Sequence, residues 1–137
     1  MPRKMGLDLG DVNIGIAFSD PLCMFASGFE NYRRRQLELD LDYIVGLIQQ
    51  KDVDTIVVGL PLNMDGTKGE RVEKTYAFCA ELAKKTNVPI EYVDERLTTV
   101  SAQKLLISAD VRREKRKTVV DKIAASIILQ SYLDKKI

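Results

Sequence analysis

The sequence contains no histidine among its 137 residues, and this absence excludes several kinds of active site. A Ser-His-Asp or Cys-His apparatus needs an imidazole as its base, and many zinc sites need histidine as a ligand. Any acid–base or metal chemistry must therefore rest on carboxylates, lysine, tyrosine, cysteine or bound water.

Cysteines are few, and long apolar runs are absent. Cys23 and Cys79 form no CxxC pair, so we interpret them as reduced core thiols, with a disulfide as the alternative. No apolar run approaches the roughly 18 residues of a membrane span. The first ten residues, MPRKMGLDLG, lack the apolar region and cleavage site of a signal peptide. We expect a cytoplasmic protein with no membrane partner.

The charge is nearly balanced overall but unevenly distributed. The formal net charge is +1, so total charge does not indicate a nucleic-acid-binding protein. Local basic clusters can nevertheless hold phosphates. There are two such clusters: Arg33, Arg34 and Arg35, and then Arg112, Arg113, Lys115, Arg116 and Lys117.

Hydrophobic patterning predicts one α/β domain over residues 1–137, without repeats or linkers. Strands are predicted over residues 5–9, 14–19, 22–32, 55–60 and 89–93. Helices are predicted over residues 36–50, 69–86, 98–108 and 119–135, with a hairpin turn at 10–13 and a charged loop at 110–117. This order predicts a mixed five-stranded sheet with helices on both faces, which resembles the ribonuclease H fold.

Carboxylates lie near predicted strand and helix ends. Asp8 lies within GLDLGDVNIGIAFSD, Asp94 and Glu95 within YVDERLTT, and Asp121 within TVVDKIAAS. Ligands of α/β sheets usually bind where strands end. Converging carboxylates stay ionised together only around a cation, and oxygen-only ligands favour Mg²⁺ or Mn²⁺. Two such ions roughly 3.5–4 Å apart activate water and stabilise the leaving oxygen of a phosphodiester.

Each carboxylate also has a purely structural interpretation. Asp8 could be a turn residue that bonds the backbone near Gly10. One of Asp94 and Glu95 could simply end a strand or pair with a surface base. Asp121 also fits a capping box with Thr118 as the N-cap.

Several residues are candidates for substrate binding. The loop GLPLNMDGTKGERV, which contains Asn63, could present helix N-terminal amides to a phosphate, or could only cap a helix through Thr67 and Glu70. Arg96 could contact a phosphate or pair with surface acids. The basic residues Arg112, Arg113, Arg116 and Lys117 could grip substrate or form a solvated face.

In these motifs the chain resembles the YqgF family, whose members are related to RuvC-like Holliday-junction resolvases of the ribonuclease H superfamily. The resemblance covers about residues 4–133, through GLDLGDVNIGIAFSD, VVGLPLNMDGTKGE, VDERLTT and VVDKIAASIILQSYL. It implies a metal-dependent nuclease that matures the 5′ end of pre-16S rRNA, with junction resolution as the older alternative. It further implies that Asp8, Glu95 and Asp121 bind the metal as the catalytic residues, with Asp94 a less certain neighbour.

The chain departs from the family pattern in its first motif. The family commonly has a small hydroxyl residue and then one or two basic residues before Ile-Gly, where this chain has Asp11, Val12 and Asn13. The loss of cations there argues against strong substrate binding near the hairpin, but it does not affect the three carboxylates.

The sequence is also compatible with two other functions, and it does not determine the oligomeric state. DLGDVNIGIAF also looks like the phosphate-binding hairpin of actin-like and sugar-kinase ATPases, although those enzymes pair two such domains. A non-catalytic module that binds structured RNA would also suit the altered hairpin. The chain could act as a monomer or a homodimer, and RNA and DNA substrates are not distinguished.

Overall fold

The computed structural model describes residues 2–62, 65–94 and 113–135, with side chains in the last segment described from residue 123 onward. Five strands form one sheet in the order β3–β2–β1–β4–β5. The elements are β1 (Arg3–Leu9), β2 (Asn13–Ser19), β3 (Ala26–Arg33), α1 (Leu37–Gln50), β4 (Val53–Leu60), α2 (Glu70–Ala83), β5 (Ile90–Asp94) and α3 (Arg113–Lys135).

The sheet is mixed, as the sequence predicted. Strands β1, β2 and β3 form an antiparallel meander, whereas β1, β4 and β5 run parallel. Parallel neighbours need a crossover connection, and α1 and α2 supply one between β1 and β4 and one between β4 and β5. The carboxyl ends of β1, β4 and β5 therefore lie at the same edge of the sheet.

Helices cover both faces of the sheet. The α1 and α2 side buries an apolar layer that includes Leu7, Ile16 and Val58 from the strands. The α3 side buries a smaller layer in which Ala17, Val57 and Val93 meet the helix. Because successive strand residues alternate between faces, this division assigns every residue of β1 to one helical layer or the other.

The structure corrects two predicted boundaries. Strand β3 begins at Ala26 rather than at residue 22, because Asp20 accepts hydrogen bonds from the amides of Met24 and Phe25, each 2.8 Å, and so forms a turn. Helix α3 begins at Arg113, so residues 113–117 are helical rather than a charged loop. Arginine, lysine and glutamate favour helices, and their charge alone does not indicate a loop. The predicted helix at 98–108 lies outside the described residues.

Both cysteines are free thiols in different surroundings. Cys79 is buried in the α1 and α2 layer, and burial raises the pKa of its thiol to about 11. Cys23 is half-buried beside the α3 layer. Within the described part of the chain, no helix combines the length and apolar character needed to cross a membrane.

Gly6→Ala tests how tightly α3 packs on β1. A Cβ atom at Gly6 would lie 2.8 Å from the Ala125 carbonyl oxygen and 2.8 Å from the Leu129 Cβ. Neither atom is the end of a flexible side chain, so we expect a loss of about 1–3 kcal/mol in the free energy of unfolding, measured by urea denaturation.

Gly46→Ala is the matched control, because a Cβ at this exposed position of α1 meets nothing within 4 Å. It should stabilise the protein by about 0.5–1 kcal/mol through helix propensity. Equal effects of the two changes would contradict a close approach of α3 to β1.

Candidate active site

Asp8 lies at the carboxyl end of the central strand β1. Leu7 is paired with Val58 of β4, and Val58 with Tyr92 of β5, so Asp8 lies one residue beyond this row. Asp94 ends β5 at the same edge of the sheet. Both acidic residues therefore lie at the edge of the sheet where the parallel strands end.

The side chain of Asp8 lies on the α3 side of the sheet. Gly6, two residues earlier on the same pleat, is in contact distance of Ala125 and Leu129 of α3. Leu7, between them, belongs to the layer under α1 and α2. Asp8 is partly buried.

Glycines flank Asp8 on both neighbouring strands. Gly15 of β2 is its direct partner, and Gly59 follows Val58, the partner of Leu7, on β4. Neither contributes a side chain to the α3 face. Among the described strands, neither β2 nor β4 therefore places a side chain beside Asp8 in this row.

Helix α3 runs antiparallel to β1 and brings position 121 toward Asp8. Gln130 contacts the beginning of β3, accepting a bond from the Ala26 amide at 2.8 Å, which is the end of the sheet opposite Asp8. Ala125 lies at the level of Gly6. Position 121 is four helical residues further, about 6 Å, and Asp8 is two strand residues further, about 7 Å. The helix thus delivers a second predicted carboxylate position to the end of β1.

The capping interpretation of Asp121 is wrong. Helix α3 begins at Arg113, so Thr118 and Asp121 lie inside the helix and neither one opens it. The N-terminal capping role therefore does not account for an acidic residue at position 121.

Asp94 lies on the opposite side of the sheet from Asp8. Its neighbour Val93 packs in the α3 layer, whereas Tyr92 packs edge-to-face on Tyr76 of α2. Alternation along β5 puts Asp94 on the side of Tyr92, where it is exposed. Asp94 therefore ends the strand on the face away from Asp8.

The remaining predicted site residues have no described side chain. Glu95, Arg96, Arg112 and Asn63 lie outside the described residues. Arg113, Arg116, Lys117 and Asp121 are placed only as backbone positions of α3. Within the described residues, no group of three acidic or cysteine side chains is arranged to hold a metal ion, so the three-carboxylate site stays a prediction.

The predicted capping box before α2 is wrong. The N-cap is Gly69 and has no side-chain hydrogen bond. Thr67 instead donates from its hydroxyl to Asp65 at 2.6 Å, closing a local turn. The helix therefore begins two residues later than a Thr67 cap requires.

The hairpin tip between β1 and β2 carries an acidic residue that lies beside α2. Asp11 lies 3.5 Å from the Arg71 guanidinium and 3.8 Å from the Lys74 ammonium. The unusual acid in the first motif thus faces two cations of α2. Its charge is partly compensated there.

A buried carboxylate that the sequence analysis did not predict connects α1 to the end of β3 and, through Arg34, to the hairpin turn. Asp40 of α1 is 1% exposed and accepts bonds from the Tyr32 hydroxyl and the Arg35 amide, both at 2.9 Å. Arg34 pairs with Asp40 at 3.5 Å and donates at 2.9 Å to the carbonyl of Gly10 in the turn. Burial and the bond to Asp40 raise the pKa of Tyr32.

The spacing of α1 contains the signal that would have revealed this residue. Asp40 precedes Ile44 by four residues and Leu47 by seven, so it falls on the buried stripe of the helix. An acidic residue on a buried stripe predicts a partner, and the arginines after β3 were the nearest candidates.

Three comparisons place these features among known proteins. Residues 2–135 match the model of the RuvX family, described as Holliday junction resolvase. A protein of Desulforamulus reducens is 51% identical over 96% of each chain, and one of Halothermothrix orenii is 54% identical over 96% of this chain and 94% of its own. Both bear the name "Putative pre-16S rRNA nuclease".

Solved structures share the fold at low sequence identity. Thermus thermophilus RuvC in complex with a Holliday junction substrate superposes with a TM-score of 0.60 and 10% identity, covering 99% of this chain and 96% of RuvC. The fowlpox virus resolvase, bound to Holliday junction DNA, gives 0.59 and 12%, covering 98% and 99%. The predicted ribonuclease H-like fold is confirmed.

Asp40→Ala tests the anchor of the hairpin. The change leaves Arg34, the Tyr32 hydroxyl and a backbone amide without their shared acceptor, so we expect a loss of about 3 kcal/mol in the free energy of unfolding. Asp42→Ala, on the exposed side of α1, is the control and should change stability little. Urea denaturation measures both, and similar losses would show that Asp40 is not the anchor.

Proposed function

Because the chain belongs to the RuvX family, we propose that it is a nuclease that hydrolyses phosphodiester bonds to mature the 5′ end of pre-16S rRNA in the cytoplasm. The two close relatives named for pre-16S rRNA support this substrate. They also favour an enzyme over a module that only binds RNA.

The observation that carries the proposal is the packing of α3 against Gly6. This contact brings helix position 121 to the end of β1, where Asp8 lies on the same side of the sheet. Glycines on both neighbouring strands place no side chain beside Asp8. Two acidic positions at one open, glycine-flanked strand end suit a divalent cation and a phosphate better than they suit a structural role.

We assign Asp8, Glu95 and Asp121 as the residues that would hold Mg²⁺ or Mn²⁺. Glu95 directly follows the last residue of β5, and we leave Asp94 out of the proposed set because it lies on the other side of the sheet. All three donors are carboxylate oxygens, the ligands that these ions prefer. When bound, such ions supply Lewis-acid activation of water and of a phosphodiester.

The chain's own residues then have limited tasks. Asp8 places a carboxylate on a rigid central strand, and the glycine-flanked row beside it would admit the scissile phosphate. The chain brings no imidazole to the reaction, since it contains no histidine. The basic residues Arg96, Arg112, Arg113, Arg116 and Lys117, with Asn63 in the loop after β4, are assigned to contacts with the nucleic acid.

Resolution of Holliday junctions is the second candidate function. The family description and the fold shared with RuvC and the fowlpox virus enzyme favour it. The phosphodiester is common to both substrates, so the same carboxylates would serve either reaction.

Asp8→Asn and Asp94→Asn form a matched pair that tests the site. Asp8→Asn should lower the cleavage rate by at least about 100-fold, because loss of a ligand exceeds the effect of an outer-shell change. Asp94→Asn should leave it nearly unchanged. Cleavage is measured on a 5′-end pre-16S RNA and on a four-way DNA junction, with Mg²⁺, Mn²⁺ or EDTA.

The substrate that is cut decides between the two candidate functions, and EDTA should abolish cleavage of either. Thermal unfolding of both variants controls for loss of structure. Equal activity of Asp8→Asn and wild type would overturn the assignment of Asp8. Loss of activity in Asp94→Asn, with Asp8→Asn still active, would show that the site lies on the face of Asp94 instead.

A further inference from the structure

The three consecutive arginines at the end of β3 have different roles. Arg34 is used inside the molecule, where it pairs with Asp40, binds the Gly10 carbonyl and lies 5.3 Å from the ring centre of Phe78. The side chains of Arg33 and Arg35 are exposed and form no ion pair with any residue that the structure describes. Two cations thus remain available at this position.

Arg33 lies on the face of the sheet that carries Asp8. It is the cross-strand partner of Asn13, and its neighbour Tyr32 packs on the other face by stacking with Tyr43 of α1. Alternation along β3 therefore turns Arg33 away from α1 and toward the side of Asp8.

The register also indicates how Arg33 lies relative to Asp8. Asp8, Gly15 and Asn31 form one row across three strands, which spans about 10 Å at the usual strand spacing. Arg33 is two residues beyond Asn31, toward the edge where the parallel strands end. Because Gly15 contributes no side chain, nothing from β2 separates Asp8 from the end of β3 in this row.

The acidic residues near the arginines are already engaged. Glu30 accepts a hydrogen bond from Tyr43, and Asp42 pairs with Lys85 at 3.4 Å. Asp40 is bound by Arg34, as described above. Neither Glu30 nor Asp42 forms an ion pair with Arg33 or Arg35 in the described part of the chain, although both acids line the same groove along the outer edge of β3 as the two arginines.

We propose that Arg33, assisted by Arg35, binds a backbone phosphate of the nucleic acid strand whose scissile bond lies at Asp8. The proposal rests on the nuclease function proposed above and extends its substrate surface across β2 to the end of β3. A guanidinium suits this task because it remains charged and binds phosphate oxygens through two parallel N–H donors.

The test measures binding in EDTA, where cleavage is blocked, at 50 and 200 mM salt. The probes are the 5′-end pre-16S RNA and the four-way DNA junction. Each phosphate contact contributes about 0.7–0.9 to the salt exponent, so Arg33→Gln should shrink the ratio of the two Kd values by about threefold. Adding Arg35→Gln should shrink it further. The probe that shows the change identifies the nucleic acid bound.

Lys135→Gln is the control, because Lys135 is an exposed cation in the last turn of α3, toward the opposite end of the sheet from Asp8. Its Kd ratio should equal that of wild type. An unchanged ratio for Arg33→Gln, with binding by the wild type intact, overturns the proposal. So does an equal change for Lys135→Gln, since the effect would then be one of net charge.

A rescue variant separates a phosphate contact from a structural role. Asn13 is directly opposite Arg33, so Asn13→Arg in the Arg33→Gln background places a cation on the same face and pleat. We expect it to restore the Kd ratio. If the double variant unfolds at the wild-type temperature but its Kd ratio is not restored, Arg33 does not act through its positive charge at this place.

Cleavage assays with Mn²⁺ on the same variants keep this proposal distinct from the proposed function. A wild-type protein that cleaves, with Arg33→Gln binding normally, refutes the role of Arg33 and leaves the nuclease intact. Salt-dependent binding that is weakened in Arg33→Gln, without any cleavage by wild type, supports the surface and refutes the nuclease. Absence of binding by the wild type to both probes overturns both.

Discussion

The close approach of α3 to β1 at Gly6 is the contact on which the arrangement of the candidate site depends. There is no room for a side chain between this strand residue and Ala125 or Leu129 of the helix. The absence of a Cβ therefore sets the height of α3 over the sheet, and the antiparallel course of the helix then fixes how far each residue lies from the end of β1. A glycine without a side chain thereby helps to position the residues of the candidate site.

A second set of contacts, around Asp40, holds the hairpin on the α1 side of the sheet. Asp40 ties the beginning of α1 to the end of β3, and Arg34 extends that tie to the turn between β1 and β2. The hairpin tip is consequently held by a charge network under its α1 side and by Arg71 of α2 through Asp11. The proposed nucleic-acid surface lies on the other side of the hairpin, toward α3.

Sequence patterns predicted the parts of this structure that depend on local periodicity. Alternating and continuous apolar runs gave the five strands and the hairpin, since side-chain period and turn chemistry are local properties. The N-caps of α2 and α3 were missed because Thr67 and Thr118 match a capping box that the backbone does not use. The different faces of Asp94 and Asp8 depend on pairing between distant strands, which local composition does not encode.

The place of β1 in the sheet has a consequence for how the site would open. Asp8 lies on a strand that is hydrogen-bonded on both sides and covered on both faces, whereas β5 has five residues and one partner strand among those described. Sub-global opening costs less at a sheet margin than at its centre, so amide exchange should reach β5 well before β1. In mild denaturant, the part of the proposed site on β1 would stay folded after β5 has detached. Cleavage activity would then be lost at a lower denaturant concentration than the one that unfolds the protein.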